Sequence, residues 1–125
     1  MRLRNLFLLD TVVALIFALG LLLGPTTILQ LFGLSTGNTE KLLAQFAGAS
    51  LAGFGLLSWF AKDFTDPKAQ DGAVITLFIF NVIAFIVSLL GVLSRVMRSG
   101  GWLATIIFLL FALGFGYFQF IGPKE

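Results

Sequence analysis

Residues 73–93 read AVITLFIFNVIAFIVSLLGVL and contain no charged side chain. The hydrocarbon core of a bilayer is about 30 Å thick, and a helix of about 20 predominantly apolar residues crosses it. A helix also satisfies its own peptide groups, which have no water to bind inside the lipid. This stretch therefore predicts a transmembrane helix.

Three other stretches have the same length and character. Together the four predict an all-α integral membrane four-helix bundle, a single transmembrane domain over residues 1–125, with helices at about 5–24, 40–61, 73–94 and 101–121. The first is expected to stay as a helix and not to be removed as a signal peptide, because Asp10 interrupts an apolar run longer than a signal peptide needs. Asn38, Asp71 and Ser99 are the expected N-caps of the last three helices.

The composition supports a membrane protein and excludes several functions. Hydrophobic residues make up 58% of the chain and charged residues 11%, whereas roughly 25% of a soluble domain is charged. Cysteine and histidine are both absent, which excludes disulfides, histidine bases and the usual zinc or haem ligands. We predict no cofactor, no metal and, since the basic residues form no cluster, no nucleic-acid partner.

A short amphipathic segment follows the first span. Residues 26–34 carry Ile28, Leu29, Leu31 and Phe32 among polar neighbours. They are too few to cross a bilayer, so they predict a half-helix at the headgroup boundary. An extended loop is the alternative.

The distribution of Lys and Arg predicts the orientation, because short cytoplasmic loops are enriched in them. Eight basic residues divide unequally between the two sides of the membrane. The side of the N-terminus has Arg2, Arg4, Lys62, Lys68 and Lys124, and the other side has Lys41, Arg95 and Arg98. Both termini are therefore predicted to be cytoplasmic in a multi-pass protein of the cell membrane.

Small residues recur at helical spacing and predict close helix packing, which in lipid replaces the hydrophobic force between helices. They form three sets: Ala44, Gly48, Ala52 and Gly55; Gly20 and Gly24; Ala112 and Gly116. One interpretation places these faces between helices of one chain. The other makes them a seam with another membrane protein or with a second copy.

Asp10 is the only acid inside an apolar span. Intramembrane acids are costly and face the interior of a bundle. We expect Gln119, Tyr117 and Lys62 to lie at a similar depth and to surround it. Asp10 is then either a structural tie or the proton or cation site of a small transporter.

Asn81 lies in the middle of the third span and shares a helix face with Ala84, Ser88, Gly91 and Arg95. An unpaired amide in hydrocarbon costs roughly 2–7 kcal/mol, so Asn81 should bind another helix. The expected partners are Gln45, Ser50 and Thr105. The stripe is interpreted as structural, with a ligand-binding or pore-lining role as the alternative.

Aromatic residues suggest two further features. Trp59, Trp102 and Tyr117 lie near predicted helix ends, as in an aromatic belt at the membrane interface. Four phenylalanines of the last span either face lipid or line a slot for a quinone, pigment or other apolar ligand: Phe111, Phe115, Phe118 and Phe120.

Several motifs carry a family resemblance that covers nearly the whole chain. They are LFGL at 31–34, FAGA at 46–49, LLSWFAKD at 56–63, GWL at 101–103 and LGFGYF at 113–118. With them the chain resembles a family of small uncharacterised bacterial four-helix membrane proteins similar to the DoxX-like group. The resemblance implies a four-helix fold and a bacterial inner membrane, and it implies no specific activity.

Three functions follow as hypotheses. The first is a non-enzymatic accessory, assembly or interaction subunit of a larger membrane complex, because catalytic groups are missing and the small-residue faces are extensive. The second is a small oligomeric transporter or channel that uses Asp10 and the Asn81 stripe. The third is a binder of an apolar ligand. An enzyme is not expected, since no nucleophile, base and metal set is present.

Overall fold

A computed structural model describes residues 2–97 and 100–121. The chain forms five α-helices in the order α1 Leu3–Leu23, α2 Pro25–Leu31, α3 Asn38–Ala61, α4 Pro67–Leu93 and α5 Gly101–Phe120. Four of them, α1, α3, α4 and α5, are long and apolar enough to cross a membrane. The predicted all-α four-helix bundle is therefore confirmed, and the protein is a multi-pass membrane protein.

The start of α4 differs from the prediction. The helix begins at Pro67, six positions before the predicted residue 73, and Asp66 caps it by accepting a hydrogen bond of 3.2 Å from the Lys68 amide. Proline at the first helical position costs nothing, because the amide it lacks has no partner there. Asp71 consequently lies inside the helix, and its predicted role as a cap is wrong.

The other predicted caps also need revision. Asn38 is the first residue of α3, and Gly37 stands at its N-cap without a side-chain hydrogen bond. Ser99 lies outside the described residues. Helices α1, α3 and α5 otherwise begin and end within a few residues of the predicted positions.

The short helix after the first span is present as α2. It folds back onto α1. Ile28 of α2 lies so close to Gly20 of α1 that a Cβ atom placed at Gly20 would be 3.0 Å from Cδ1 of Ile28. Gly33 then turns the chain with a φ of 73°, a conformation that glycine adopts without strain. The position of α2 at the headgroup boundary stays a prediction.

The four long helices form two antiparallel hairpins. In the first hairpin α3 packs along α1 and α2 covers one end; in the second, α5 packs along α4. Gly48 of α3 contacts Leu21 of α1, and Gly116 of α5 contacts Phe78 of α4. The hairpins contact each other much less than the helices within each hairpin do.

One cluster holds the two hairpins together, and all four long helices contribute to it. We call it the four-helix core: Leu3, Leu6, Phe7, Ala61, Ala73, Val74, Leu77, Phe115 and Phe118. The ring of Phe7 lies 5.6 Å from that of Phe115 across the hairpin boundary. The second buried cluster, near α2, contains only Leu21, Leu29 and Ala44, all from the first hairpin. The hairpins are thus packed tightly at one end of the bundle and loosely farther along it.

An ion-pair cluster lies beside the four-helix core, just beyond the end of α3. Asp63 pairs with Arg4 of α1 at 2.5 Å and with Lys62 at 2.6 Å. The Lys62 ammonium also lies 4.0 Å from the centre of the Trp59 ring. The hydrogen bond from Lys62, and then that from Arg4, hold the pKa of Asp63 below its usual value of 3.8.

We expect this pairing to make stability depend on pH in acid. A lowered carboxyl pKa contributes stability that is present above the ordinary value and is lost as the pH falls through the folded-state pKa. The thermal unfolding temperature in detergent should therefore fall on acidification from about pH 6 to about pH 2. Asp63→Asn should make that fall shallower, whereas Lys68→Gln should leave it unchanged. The same pH profile in wild type and Asp63→Asn would contradict the pairing.

Candidate functional site

A large cavity lies in the space between the two hairpins. It is a cavity of about 990 Å³, and every helix lines it: Asp10 in α1, Leu29 in α2, Ala47 in α3, Asn81 in α4 and Phe108 in α5. We call it the inter-hairpin cavity. The hairpins are held together at both ends of this space. At one end the four-helix core joins them, and at the other Gly100, just before α5, lies against the Leu31 carbonyl of α2.

Small side chains keep this space open. Ala44 and Ala47 of α3, Ala84 of α4 and Ala104 of α5 all line the cavity. A leucine at such positions would reach across the gap. The glycines of α3 act differently, because Gly48 and Gly55 let α1 approach α3 closely.

The remaining small residues that the sequence singled out also pack within the chain. Gly116 contacts Phe78, Gly20 contacts Ile28, and Gly24 lies next to Thr27. Ala112 is buried in the bundle, and Ala52 is half-buried. Contacts inside one chain therefore occupy most of these faces, as the first of the two interpretations predicted.

Six polar side chains from the described part of the chain line the otherwise apolar cavity. They are Asp10, Ser35, Glu40, Ser50, Asn81 and Ser88. Three of them, Asp10, Asn81 and Ser88, were singled out from sequence, and the fold brings these three from two hairpins to one space. Among the lining residues that the structure describes, Asp10 and Glu40 are the only charged ones, and both are acidic.

Asp10 is 7% exposed and accepts a short hydrogen bond from the hydroxyl of Ser58, which is 0% exposed. Next to it, the hydroxyl of Thr11 donates to the Gly55 carbonyl at 3.1 Å, a second hydrogen bond between α1 and α3. Ser58 was missed from sequence. The available signal was that Ser58 is a polar residue in the last turns of α3, the end of that helix that lies beside the start of the antiparallel α1.

The partners predicted for Asp10 are wrong. Lys62 binds Asp63. Tyr117 is 48% exposed and its ring contacts Phe118, and the buried Oε1 of Gln119 has no hydrogen-bond partner. Similar depth along the bundle did not bring these side chains to Asp10, because each faces a different direction around its own helix.

Asn81 is 2% exposed, and its amide nitrogen donates to the Leu77 carbonyl one turn earlier at 2.7 Å. The interhelical partners predicted for it are therefore wrong. Ser50 and Thr105 likewise donate to the carbonyl four residues earlier in their own helices, at 3.1 and 3.0 Å, because a short polar side chain reaches that carbonyl easily. Gln45 donates to the Leu22 carbonyl of α1 at 3.4 Å and not to Asn81.

The last two residues of the predicted Asn81 stripe, Gly91 and Arg95, do not share its helix face as expected. Helix α4 ends at Leu93, and Arg95 follows it as an exposed residue with a φ of 64°. Gly91 lies against Met97. Only Asn81, Ala84 and Ser88 of the stripe face the cavity.

Of the two alternatives for the four phenylalanines of α5, the slot for an apolar ligand is mostly wrong. Phe111 lines the cavity, but Phe115 and Phe118 belong to the four-helix core, and Phe120 is exposed with its edge against Phe78. Other rings take their place. The six phenylalanines of the cavity are Phe17, Phe32, Phe54, Phe80, Phe108 and Phe111.

The chemistry available in this cavity is that of a binding site. Two acids and a few hydroxyl and amide groups stand among aromatic and aliphatic walls. Among residues 2–97 and 100–121, no three acidic side chains come together in a way that would hold a metal ion. The chain matches no family model, no curated protein and no solved structure. The DoxX-like resemblance therefore stays a prediction.

Proposed function

We propose that this protein is a non-enzymatic membrane protein that binds a mainly apolar small molecule in the inter-hairpin cavity. The cavity itself carries the proposal. At about 990 Å³ it falls at the upper end of the roughly 300–1,000 Å³ typical of ligand pockets. Its apolar walls with a few convergent polar groups have the composition of such pockets.

Physical considerations favour an occupant over a structural void. Protein interiors are close-packed, and atoms that line a gap lose dispersion contacts with the missing partner. A gap between two hairpins could be closed by moving the hairpins together. Here Phe54 and Phe80, with ring centres 4.1 Å apart, stack across the gap and hold α3 and α4 at their distance.

The non-enzymatic part of the proposal follows from the functional groups. Acid–base or nucleophilic catalysis needs a nucleophile beside a base and a group that orients the base. Of the polar groups that line the cavity, Asp10 accepts a hydrogen bond from the Ser58 hydroxyl behind it, and Asn81 is bound to its own helix. We infer that these groups orient a ligand.

The binding function can be tested by filling the cavity. Ala47 lines it and Ala49 does not, although both are exposed residues of α3 only two positions apart. Protein extracted from its native membrane in mild detergent should carry an apolar molecule that mass spectrometry identifies. Ala47→Trp should remove most of that molecule, because an indole occupies its space, and Ala49→Trp should retain it.

Two results would contradict the proposal. One is wild-type protein that carries no small molecule beyond ordinary bilayer lipid and binds neither tetraphenylphosphonium nor tetraphenylborate. The other is equal ligand content in Ala47→Trp and Ala49→Trp, with both variants folded by circular dichroism.

We also propose that both termini face the cytoplasm of a bacterial cell, on the Lys and Arg distribution described above. A single cysteine introduced at Arg2 or at Ser35 tests this, because the natural chain has no cysteine. A membrane-impermeant maleimide added to intact spheroplasts should label Ser35→Cys and not Arg2→Cys. The opposite pattern would overturn the orientation.

The hypothesis of an accessory or assembly subunit stays a prediction. Its main motivation, the small-residue face of α3, is weakened because Gly48 and Gly55 of that face contact α1 of the same chain. Cross-linking in native membranes followed by purification would test it.

The hypothesis of a small transporter gains support, since Asp10 and Asn81 line the same cavity.

A further inference from the structure

We propose that the molecule bound in the inter-hairpin cavity is a lipophilic organic cation whose charged group lies beside Asp10. This inference rests on the binding function proposed above and names the chemical class of its ligand. It depends on three observations: the sign of the charges in the cavity, the environment of Asp10, and the aromatic walls.

The charges of the described cavity lining have one sign. Of the described residues that line the cavity, only Asp10 and Glu40 are ionisable acids or bases, and no lysine or arginine is among them. The chain as a whole carries a formal net charge of +2, so the negative charge of the cavity is opposite in sign to that of the whole chain. A concave, low-dielectric site lined by one sign of charge concentrates ligands of the opposite sign.

Asp10 has no cationic partner within the described part of the chain. Arg4 and Lys62 both pair with Asp63, while Asp10 accepts its hydrogen bond from Ser58. Acids inside membrane spans normally pair with another group or face a pathway for substrate or ions. An organic cation in the cavity would supply the missing positive charge next to the carboxyl group.

The aromatic walls suit the same class of ligand. Phe54 lies one helical turn before Ser58 and stacks on Phe80, and the rings of Phe80 and Phe108 meet edge to face with their centres 6.1 Å apart. Aromatic faces attract cations by about 0.5–2 kcal/mol, more when water is excluded. The apolar body of the ligand would pack against rings while its charge is near Asp10.

A small inorganic cation fits these observations less well. Calcium takes 6–8 oxygen ligands, and magnesium requires six in a nearly regular octahedron. The described residues hold no group of three acidic side chains that would provide them. A cation that carries its own apolar surface needs only the one carboxyl group and the rings.

A matched pair of probes tests the sign of the charge. Tetraphenylphosphonium and tetraphenylborate have nearly the same size and shape and opposite charges. We expect radiolabelled tetraphenylphosphonium to bind the full chain in nanodiscs, with protein-free nanodiscs subtracted, and tetraphenylborate not to compete. Asp10→Asn keeps the size of the side chain and should weaken tetraphenylphosphonium binding by about tenfold or more, equivalent to about 1.4 kcal/mol.

Two further variants complete the design. Asp71→Asn makes the same chemical change at an exposed residue outside the cavity and should leave binding unchanged. Glu40→Gln removes the second acid of the cavity and should weaken binding by a smaller factor, about two- to threefold, because Glu40 lies away from Asp10 in the first turn of α3. Glu40→Gln also keeps the test valid if Asp10→Asn fails to fold.

The possible outcomes separate this inference from the binding function. If both probes bind equally and neither Asp10→Asn nor Glu40→Gln changes binding, the ligand is not a cation, but the cavity still binds apolar molecules. If neither probe binds wild-type protein and no molecule copurifies with it, the binding function itself is wrong. Loss of tetraphenylphosphonium binding in Ala47→Trp as well as in Asp10→Asn would support both the binding function and the cationic ligand.

Discussion

Gly48→Ala is expected to lower the free energy of unfolding by about 1–3 kcal/mol, the usual cost of overpacking. A Cβ atom at this position would lie 2.9 Å from Cβ of Leu21 and 3.1 Å from the Ala18 carbonyl oxygen. Neither atom can rotate away, because one belongs to the backbone and the other is fixed to it. Helices α1 and α3 would have to separate along their closest contact.

Gly53 is the matched control on the same helix. A Cβ atom there would meet nothing within 4 Å. Gly53→Ala should leave stability unchanged or raise it by up to about 1 kcal/mol, since alanine is the better helix former. Reversible unfolding in mixed micelles measures both variants. Similar losses in the two would show that α1 and α3 do not pack as described.

Phe115→Ala is expected to have the largest effect, a loss of about 3–5 kcal/mol in the free energy of unfolding. Phe115 is 0% exposed and belongs to the four-helix core that joins the hairpins. Its ring contacts Phe7 at 5.6 Å and Phe111 at 6.3 Å. Truncation would leave a hole in the four-helix core, to which all four long helices contribute, so the hairpins should loosen.

Phe60→Ala serves as the control, because Phe60 is 63% exposed near the end of α3. Lipid replaces its contacts, and the change should cost within about 0.5 kcal/mol. The same unfolding assay applies. Phe115→Ala should also reduce ligand binding in the inter-hairpin cavity, whose width depends on the hairpin junction. A loss of stability in Phe60→Ala as large as in Phe115→Ala would contradict the described core.

Local features of the chain were predicted well where they depend on neighbours in sequence. Apolar length identified four spans, and Gly24-Pro25 marked the end of the first. The start of α4 was predicted wrongly for a local reason as well. Asp66-Pro67 is a stronger start signal than Asp71-Gly72, because aspartate at the N-cap and proline at the first position act together.

The candidate site was predicted only in part. Asp10, Asn81 and Ser88 stood out because polar groups are rare in apolar spans, and all three line the cavity. Their partners could not be inferred in the same way. Whether Ser58 or Gln119 is the hydrogen-bond partner of Asp10 depends on how each helix is rotated about its own axis. In lipid this rotation is determined more by side-chain packing than by the pattern of hydrophobic residues.

The sequence by itself determined that this protein is helical, that it crosses a membrane with four spans and a short helix after the first, and that acids and amides are rare within it. Those properties follow from solvation, since each apolar segment must satisfy its own peptide groups in lipid. Only the tertiary structure decided that the helices pair as two hairpins joined at one end, and that Asp10 and Asn81 face one cavity. Side-chain packing determines those relations, because lipid is as apolar as the helix faces and gives no hydrophobic preference between them.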